Sequence, residues 1–175
     1  MARHARRGLT RGSTAAAIQT SRGCAMVRHL LKIYPLEFGR HFTGDEVSKI
    51  CSQLLNEDGI SVVPESIKIQ QFDEIRFVSC GNNLHRVKCP LCGKQVEMGT
   101  WQDLLNTACS RPGGYDPTES HALPCGHSFP LHSLGYKEKC GFASAVISVQ
   151  PVSHTWMGWL REFPWIDFVA ATYDE

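Results

Sequence analysis

The sequence of 175 residues predicts a small α+β fold. Short runs of β-branched and aromatic residues, typical of strands, alternate with stretches whose apolar residues recur every three to four positions, typical of amphipathic helices. Hydrophobic residues make up 42% of the chain, which is too many for a disordered protein. The longest run without a charged or strongly polar side chain is Gly141–Val149, which contains two Ser, so no segment is expected to span a membrane.

The first 25 residues differ in charge from the rest of the chain. They contain five of the 18 basic residues and no acidic residue. Residues 26–175 therefore hold 13 basic and 17 acidic side chains and carry a net charge of −4. This acidic body argues against broad electrostatic binding of nucleic acid, which requires a basic surface.

Three interpretations of residues 1–25 stay open. Their composition matches an organelle transit peptide, a basic arm for nucleic acid, or translated upstream sequence with Met26 as the true start. We favour the last interpretation, because regular patterns begin directly after Met26. In each case the segment lacks a periodic apolar face and is predicted to be a disordered leader. Residues 26–175 are then predicted to form a single domain.

The first strand and helix of this domain have clear sequence signals. Leu30–Tyr34 is an apolar run that Pro35 ends, and it predicts a strand. Thr43 and Glu46 have the spacing of a capping box, which marks a helix N-terminus. The residues that follow at helical spacing and form one apolar face are Val47, Ile50, Cys51, Leu54 and Leu55.

The middle of the domain continues this alternation. Ile67–Ile69 and Ile75–Val78 read as two strands separated by polar residues. Trp101–Cys109 predicts a second helix with Thr100 and Asp103 as its cap.

The last part of the chain predicts a strand, a helix and a final strand. Phe142–Val149 is strand-like, and Thr155 caps a helix that Pro164 ends. Ile166–Tyr173 closes the chain as a strand. The apolar face of the helix is predicted to contain Trp156, Trp159, Leu160 and Phe163. The resulting order is two βαβ-like halves that flank an insert at about residues 80–134. The two halves predict a small mixed sheet with helices packed on one face, as in ferredoxin-like folds.

Two short turns within the insert predict a metal site. Cys89 and Cys92 are separated by two residues, and Cys125 and His127 follow in a second turn. Thiolates and an imidazole are ligands that Zn²⁺ prefers, and four protein ligands complete its tetrahedral shell. The sequence therefore predicts a structural Zn²⁺ site in a zinc-ribbon-like insert.

The fourth ligand stays open at this level. His121 and His132 flank the second turn, and either could replace His127. A second site drawn from other residues also stays open, although no second paired spacing supports it. Those residues are Cys80, His85, Cys109 and Cys140.

Three other functional interpretations use the same residues. A thiol redox protein would use the Cys89–Cys92 pair but leaves Cys125 and His127 unexplained. The two turns also look like the first half of a RING finger, but Pro130 stands where RING needs a cysteine and the later cysteine pairs are missing. A zinc-dependent hydrolase would need an open metal position and a carboxylate base, and no HExxH-like arrangement is present.

The chain resembles a group of uncharacterised bacterial proteins, a domain of unknown function with a CPxCG turn and a later Cys-Gly turn. The resemblance covers about 100 residues from Phe77 onward. Here Gly126-His127 stands where the group has a second adjacent Cys. The matching stretches are Phe77–Gly81, Cys89–Gly93, Trp101–Asp103, Leu123–His127, Ser133-Leu134 with Tyr136, Gly141–Ala143 and Ala171–Tyr173. The resemblance implies a fold and a bacterial, cytoplasmic setting, but no reaction.

Together these patterns predict a zinc-binding, non-enzymatic protein-interaction module. A protein is the expected partner because the body is net acidic, and the candidate contact surface is the insert, including the Arg111–Glu119 loop. A nucleic-acid-binding zinc ribbon is the alternative. It would use a basic stripe on the insert formed by Arg86, Lys88, Lys94, Arg111, Lys137 and Lys139. No membrane association is expected, and the oligomeric state stays open.

Overall fold

The computed structural model describes residues 27–56, 62–150 and 159–174. Short 3₁₀ helices lie at Pro64–Ser66, Leu131–Ser133 and Trp159–Glu162. The other elements are, in chain order, β1 (Val27–Pro35), α1 (Gly44–Asn56), β2 (Lys68–Val78), β3 (Val87–Lys88), β4 (Gln95–Val96), α2 (Met98–Cys109), β5 (His121–Ala122), β6 (Ser128–Phe129), β7 (Gly135–Tyr136), β8 (Gly141–Val149) and β9 (Ile166–Asp174).

Four long strands form the main sheet in the order β2-β8-β1-β9. β8 is antiparallel to both β2 and β1, and β9 is antiparallel to β1. Hence β1 and β2 run parallel with β8 between them, and α1 lies in the connection that joins them. β8 and β9 are likewise parallel on either side of β1. The unit β1-α1-β2 is a split βαβ unit, and the combination of helices with antiparallel sheets confirms the α+β prediction.

One face of the sheet is covered by α1. Ile33 of β1 and Ile147 of β8 are in register and fully buried, and they pack against Ile50 and Leu54 of the helix. The predicted capping box starts the helix: the Thr43 amide donates to Glu46 Oε2 at 2.9 Å, and the Glu46 amide donates to Thr43 Oγ1 at 3.3 Å. The amphipathic pattern therefore fixes which face of α1 is buried.

Two predicted strands are one strand in the structure. Lys68–Val78 is continuous as β2, and its register against β8 shifts between Gln71 and Arg76. The polar residues that separate the two apolar runs lie in this irregular part of the strand, since a bulge lets the pairing resume after extra residues.

The ends of the predicted helices also differ from the sequence pattern. α2 begins at Met98, so Thr100 lies inside the helix and the cap residue is Glu97, which makes no side-chain cap hydrogen bond. The predicted cap Thr155 lies outside the described residues. The described part of that predicted helix, Trp159–Glu162, is a 3₁₀ helix.

Residues 79–140, called the insert from here on, connect β2 to β8. Their strands are two residues long and form two small sheets, in the order β4-β3-β7 and β5-β6. A second apolar cluster joins the insert to the main sheet, because Phe77 and Phe142 pack with Trp101 and Tyr115. Among the described residues, no helix is long and apolar enough to cross a bilayer.

Candidate metal centre

The first half of the candidate site is the hairpin that joins β3 to β4. The Cys89 amide donates to Lys94 O and the Gly93 amide donates to Cys89 O, each at 2.9 Å. Gly93 has a φ of 68°, a conformation that side chains other than glycine rarely adopt. This tight turn directs the side chains of Cys89 and Cys92 toward the same point.

The second half is the hairpin that joins β5 to β6. The Leu123 amide donates to His127 O at 2.8 Å, and the Gly126 amide donates to Leu123 O at 2.9 Å. The turn brings Cys125 and His127 beside the first pair, although 33 positions separate Cys92 from Cys125 in the chain.

The structure brings all four predicted ligands together. Their ligand atoms lie within 4.8 Å of one another. His127 Nδ1 is 3.4 Å from Cys89 Sγ and 3.6 Å from Cys125 Sγ. A tetrahedral ion with Zn–S of about 2.3 Å and Zn–N of about 2.0 Å requires an S···N separation of about 3.5 Å. The donor set and its spacing therefore fit a soft ion such as Zn²⁺.

The surroundings of the sulfurs differ between the two cysteines of the first turn. Desolvation opposes the charged form of Cys89, but hydrogen bonds from the backbone of Cys92 and Leu91 and the contact with His127 outweigh it and lower the pKa of Cys89 to about 6. At Cys92 a hydrogen bond from the Lys94 backbone favours the thiolate. Desolvation and the neighbouring sulfurs of Cys89 and Cys125 outweigh this bond and raise the pKa of Cys92. A bound cation would relieve that crowding of sulfurs.

Burial also differs across the site. Cys89 is 1% exposed, Cys125 and His127 are half-buried, and Cys92 is exposed. Cys89 and Cys125 belong to the apolar cluster of the insert, so the site faces that cluster on one side and solvent on the other. Within the described ranges this is the one group of at least three His, Cys, Asp or Glu side chains spaced to hold an ion, and it contains no carboxylate.

The alternative ligands have other positions. His132 Nδ1 is hydrogen-bonded to the Tyr115 hydroxyl at 2.9 Å, so this ring nitrogen already has a partner. His121 is 8% exposed, and its Nε2 has no hydrogen-bond partner among the described residues. Neither histidine belongs to the cluster.

The residues considered for a second site do not form one in the described part of the chain. Cys80 and Cys140 lie instead against each other, with their sulfurs 3.3 Å apart. Cys109 is half-buried at the end of α2, and His85 is exposed.

Comparison with known proteins adds no relative: no family model, no curated protein and no solved structure matches the chain.

Sequence reasoning missed a row of basic residues on the main sheet. Lys32 of β1 and Lys68 of β2 both pair in register with Ser148 of β8, so they share one face. This face is opposite to α1, because Lys32 alternates with the buried Leu31 and Ile33. The sequence offered one signal for this basic face, which is Lys32 within the apolar run of β1.

Proposed function

We propose that Cys89, Cys92, Cys125 and His127 bind one Zn²⁺ whose role is structural, and that the insert is a protein-interaction module rather than a catalytic site. The observation that carries this proposal is the convergence of three thiols and one imidazole, whose donor atoms lie within 4.8 Å of one another. Four protein ligands leave no open position for water or substrate. The absence of a carboxylate from this cluster also leaves a hydrolytic mechanism without its base at this point.

Metal analysis of the purified full chain tests the zinc site. We expect one zinc per chain, and an X-ray absorption spectrum that fits three sulfurs and one nitrogen. Cys89→Ser and Cys125→Ser should each lose the metal. Cys109→Ser is the matched control, because Cys109 is half-buried in the same apolar cluster but lies outside the four ligands.

Two outcomes would contradict this assignment. Stoichiometric zinc in both Cys89→Ser and Cys125→Ser would place the metal elsewhere. A spectrum with an oxygen in place of one protein donor would mean an open position, and would favour the zinc-dependent hydrolase interpretation.

The exposed tip of the first turn supports the interaction role. Leu91, between the two cysteines, is 70% exposed, the largest exposed fraction among the exposed large hydrophobic side chains of the described residues. Pro90 and Pro124 are exposed beside the site as well. A rigid apolar tip held by a metal is suited to contact an apolar surface on a partner protein. We place this interaction in a bacterial cytoplasm, as the resemblance of the turns implies.

Substitution of the tip tests this role. Leu91→Asp should abolish retention of partner proteins by the immobilised chain while zinc content stays at one per chain. Val63→Asp is the matched control, because Val63 is 57% exposed but lies outside the insert. Equal loss of binding in both variants would contradict a specific role for the tip.

One observation favours nucleic acid as a second candidate partner, and it lies on the main sheet. A groove of about 780 Å³ on the face opposite α1 is lined by Arg28, Lys32 and Lys68, with Glu65 as its one acidic residue. The Tyr173 ring also lines it, below the Lys32 ammonium at 5.1 Å. Cations interleaved with an aromatic ring are typical of surfaces that bind single strands.

The basic stripe predicted on the insert is weaker. Lys139 pairs with Asp167, Arg111 with Glu119, and Lys137 with Glu138. Paired cations contribute less to the attraction of phosphates. Because the Tyr173 ring lies among the cations of the groove, we expect the groove to bind nucleic acid if that is the partner.

Fluorescence polarisation with short single-stranded oligonucleotides at low salt separates these surfaces. Lys68→Glu should weaken binding and lower its salt dependence by about one ion, whereas Lys94→Glu on the insert should change little. No binding by the wild-type chain at low salt would remove nucleic acid as a candidate.

A further inference from the structure

Two cysteines outside the metal cluster are in contact at the base of the insert. Cys80 follows β2 and Cys140 precedes β8, so the pair marks the two points where the insert leaves the main sheet. Their sulfurs are 3.3 Å apart although the residues are separated by 60 positions. Neither sulfur belongs to the group that could hold a metal.

The backbone of each cysteine is held in place by the glycine that follows it. A Cβ on Gly81 would lie 2.2 Å from Thr172 O, and a Cβ on Gly141 would lie 2.3 Å from the Tyr34 ring. These close approaches require glycine. They fix one cysteine against β9 and the other against β1.

Hydrogen bonds support the same positions. The Thr172 amide donates to Cys80 O at 3.3 Å, and the Asn82 amide donates to Thr172 O at 2.7 Å. The Tyr34 hydroxyl donates to Cys140 O at 3.5 Å. The two thiols are thus positioned by different strands of the main sheet, and their contact does not depend on the shape of the insert between them.

We propose that Cys80 and Cys140 form a thiol–disulfide exchange site that reacts with a low-molecular-weight disulfide such as oxidised glutathione, and that the resulting bond closes the base of the insert. A disulfide needs the sulfurs at about 2.05 Å, which is roughly 1.3 Å closer than they lie now. We expect rotation about the Cα–Cβ bonds of the two cysteines to close this distance.

The burial of the two thiols indicates the order of the reaction. Cys140 is half-buried whereas Cys80 is 1% exposed, so the Cys140 thiolate attacks one sulfur of oxidised glutathione and releases one glutathione thiolate. The Cys80 thiolate then attacks the Cys140 sulfur and releases the second glutathione. Two S–H bonds are lost, one protein S–S bond forms, and the two electrons reduce the glutathione disulfide. The two protons pass to the released thiolates or to solvent.

This exchange should be slow at neutral pH. Desolvation is the largest cause that raises the pKa of both thiols, and together with the hydrogen bond and charge of Cys80 it raises the pKa of Cys140 to about 12. Only a small fraction of either thiol is therefore nucleophilic at a given moment. We expect reaction over hours, and a stable product once it has formed.

Peptide mapping of the zinc-loaded full chain tests the proposal. The protein is incubated in buffers with graded ratios of oxidised to reduced glutathione, alkylated, digested and measured by mass spectrometry. In oxidised buffer we expect a cross-link between the Cys80 and Cys140 peptides and an intact mass lower by two hydrogens. Cys51→Ser and Cys109→Ser are matched controls with half-buried cysteines, and both should keep the cross-link.

Substitution of either partner checks the order of attack. Cys80→Ser should leave Cys140 carrying one glutathione, and Cys140→Ser should leave Cys80 unmodified because it is shielded. The proposal is overturned if both cysteines of the wild-type chain are alkylated in fully oxidised buffer, or if both carry glutathione without a link.

The same map keeps this proposal separate from that of the zinc site. Oxidation of Cys89, Cys92 and Cys125 in the zinc-loaded protein would count against the metal assignment. It would leave the Cys80–Cys140 result unaffected, because these two peptides are identified individually.

Discussion

The main sheet and the insert are held together in different ways. In the sheet, β1 pairs with β9 over nine consecutive residues, and β2 is 11 residues long. Each strand of the insert is two residues long. The sheet therefore has long ladders of backbone hydrogen bonds, whereas the insert relies on an aromatic cluster and on the turns that carry the four candidate metal ligands.

This difference indicates what a bound metal would contribute to the insert. Isolated two-stranded hairpins are marginally stable in water, and the hairpins of the insert are shorter than most. One ion bound by both hairpins would join them at a single point. In the insert it would take the place of the long ladders that join the strands of the sheet. The insert should then depend on the metal, and the sheet should not.

Metal removal is the prediction with the largest expected effect. Structural zinc in small domains contributes on the order of 10 kcal/mol of binding free energy. A chelator that strips the ion should therefore unfold much of the insert, while β1 and β8 stay folded. Hydrogen exchange measured by mass spectrometry should show loss of amide protection in β3, β4 and α2, with protection of β1 unchanged.

Readdition of zinc is the control for this experiment and should restore protection. Protection of the insert that survives complete metal removal would mean that the aromatic cluster alone holds it. Simultaneous loss in β1 would mean that the two regions unfold as one unit, and the contrast between them would be wrong.

A core substitution in the sheet should have the next largest effect. It should destabilise the sheet and leave the metal site of the insert unchanged. Ile33 is fully buried between α1 and the neighbouring strands, so Ile33→Ala removes buried methyl groups and leaves a cavity. We expect a loss of about 2–5 kcal/mol in the free energy of unfolding, measured by urea denaturation. The affinity of the folded protein for zinc should not change.

Ile69→Ala is the matched control, because Ile69 is on β2 but is 45% exposed. It should cost less than about 1 kcal/mol. Weaker zinc binding in Ile33→Ala at low urea would show that the sheet also stabilises the metal site.

The same contrast explains how much the sequence predicts. Periodicity over long elements predicts the strands of the sheet and the buried face of α1, since Ile50 and Leu54 lie where helical spacing puts them. The candidate ligands of the insert are predicted by chemistry, because thiols and an imidazole are donors that Zn²⁺ prefers. The two-residue strands carry no periodic signal at all.

Contacts between distant segments were beyond sequence reasoning for a physical reason. The Cys80–Cys140 contact depends on the register of β2 against β8, and the bulge between Gln71 and Arg76 changes that register. The row formed by Lys32 and Lys68 depends on the strand order, which places β8 between their strands. A single sequence specifies neither the bulge length nor the strand order directly.

Loss of the α1 cap should have a smaller effect on the free energy of unfolding, and this effect should be confined to the main sheet and α1. Thr43→Ala removes the hydroxyl that accepts the Glu46 amide, and we expect a loss of about 1 kcal/mol in the free energy of unfolding. Ser52→Ala on the exposed side of α1 is the control and should be near neutral. A change in zinc stoichiometry in Thr43→Ala would contradict the separation of the two regions.

Alkaline pH should produce the smallest effect, and its sign follows from Tyr34. Desolvation, followed by the charge of Asp167, raises the pKa of this phenol above its ordinary value of about 10. Below pH 10 the phenol is neutral in both states, so this stabilisation is fully present. Above that pH it ionises first in the unfolded chain, which lowers the free energy of unfolding. We expect a loss of roughly 0.8 kcal/mol by about pH 10.5, measured by urea denaturation.

Tyr34→Phe isolates this ionisation from the packing of the ring. Among the described residues the hydroxyl makes two long hydrogen bonds, at 3.4 Å to Asp167 and 3.5 Å to Cys140 O, so its loss should cost little at pH 8. Tyr136 in the insert is a poor choice for the same test, because its hydroxyl donates to Leu131 O at 2.8 Å and its loss would disturb the packing directly. Tyr34→Phe should therefore have the same free energy of unfolding as the wild type at pH 8 and should lose less of it above pH 10. An unchanged alkaline slope in Tyr34→Phe would assign the effect to other groups, since the buried phenol of the sheet would then contribute nothing to it.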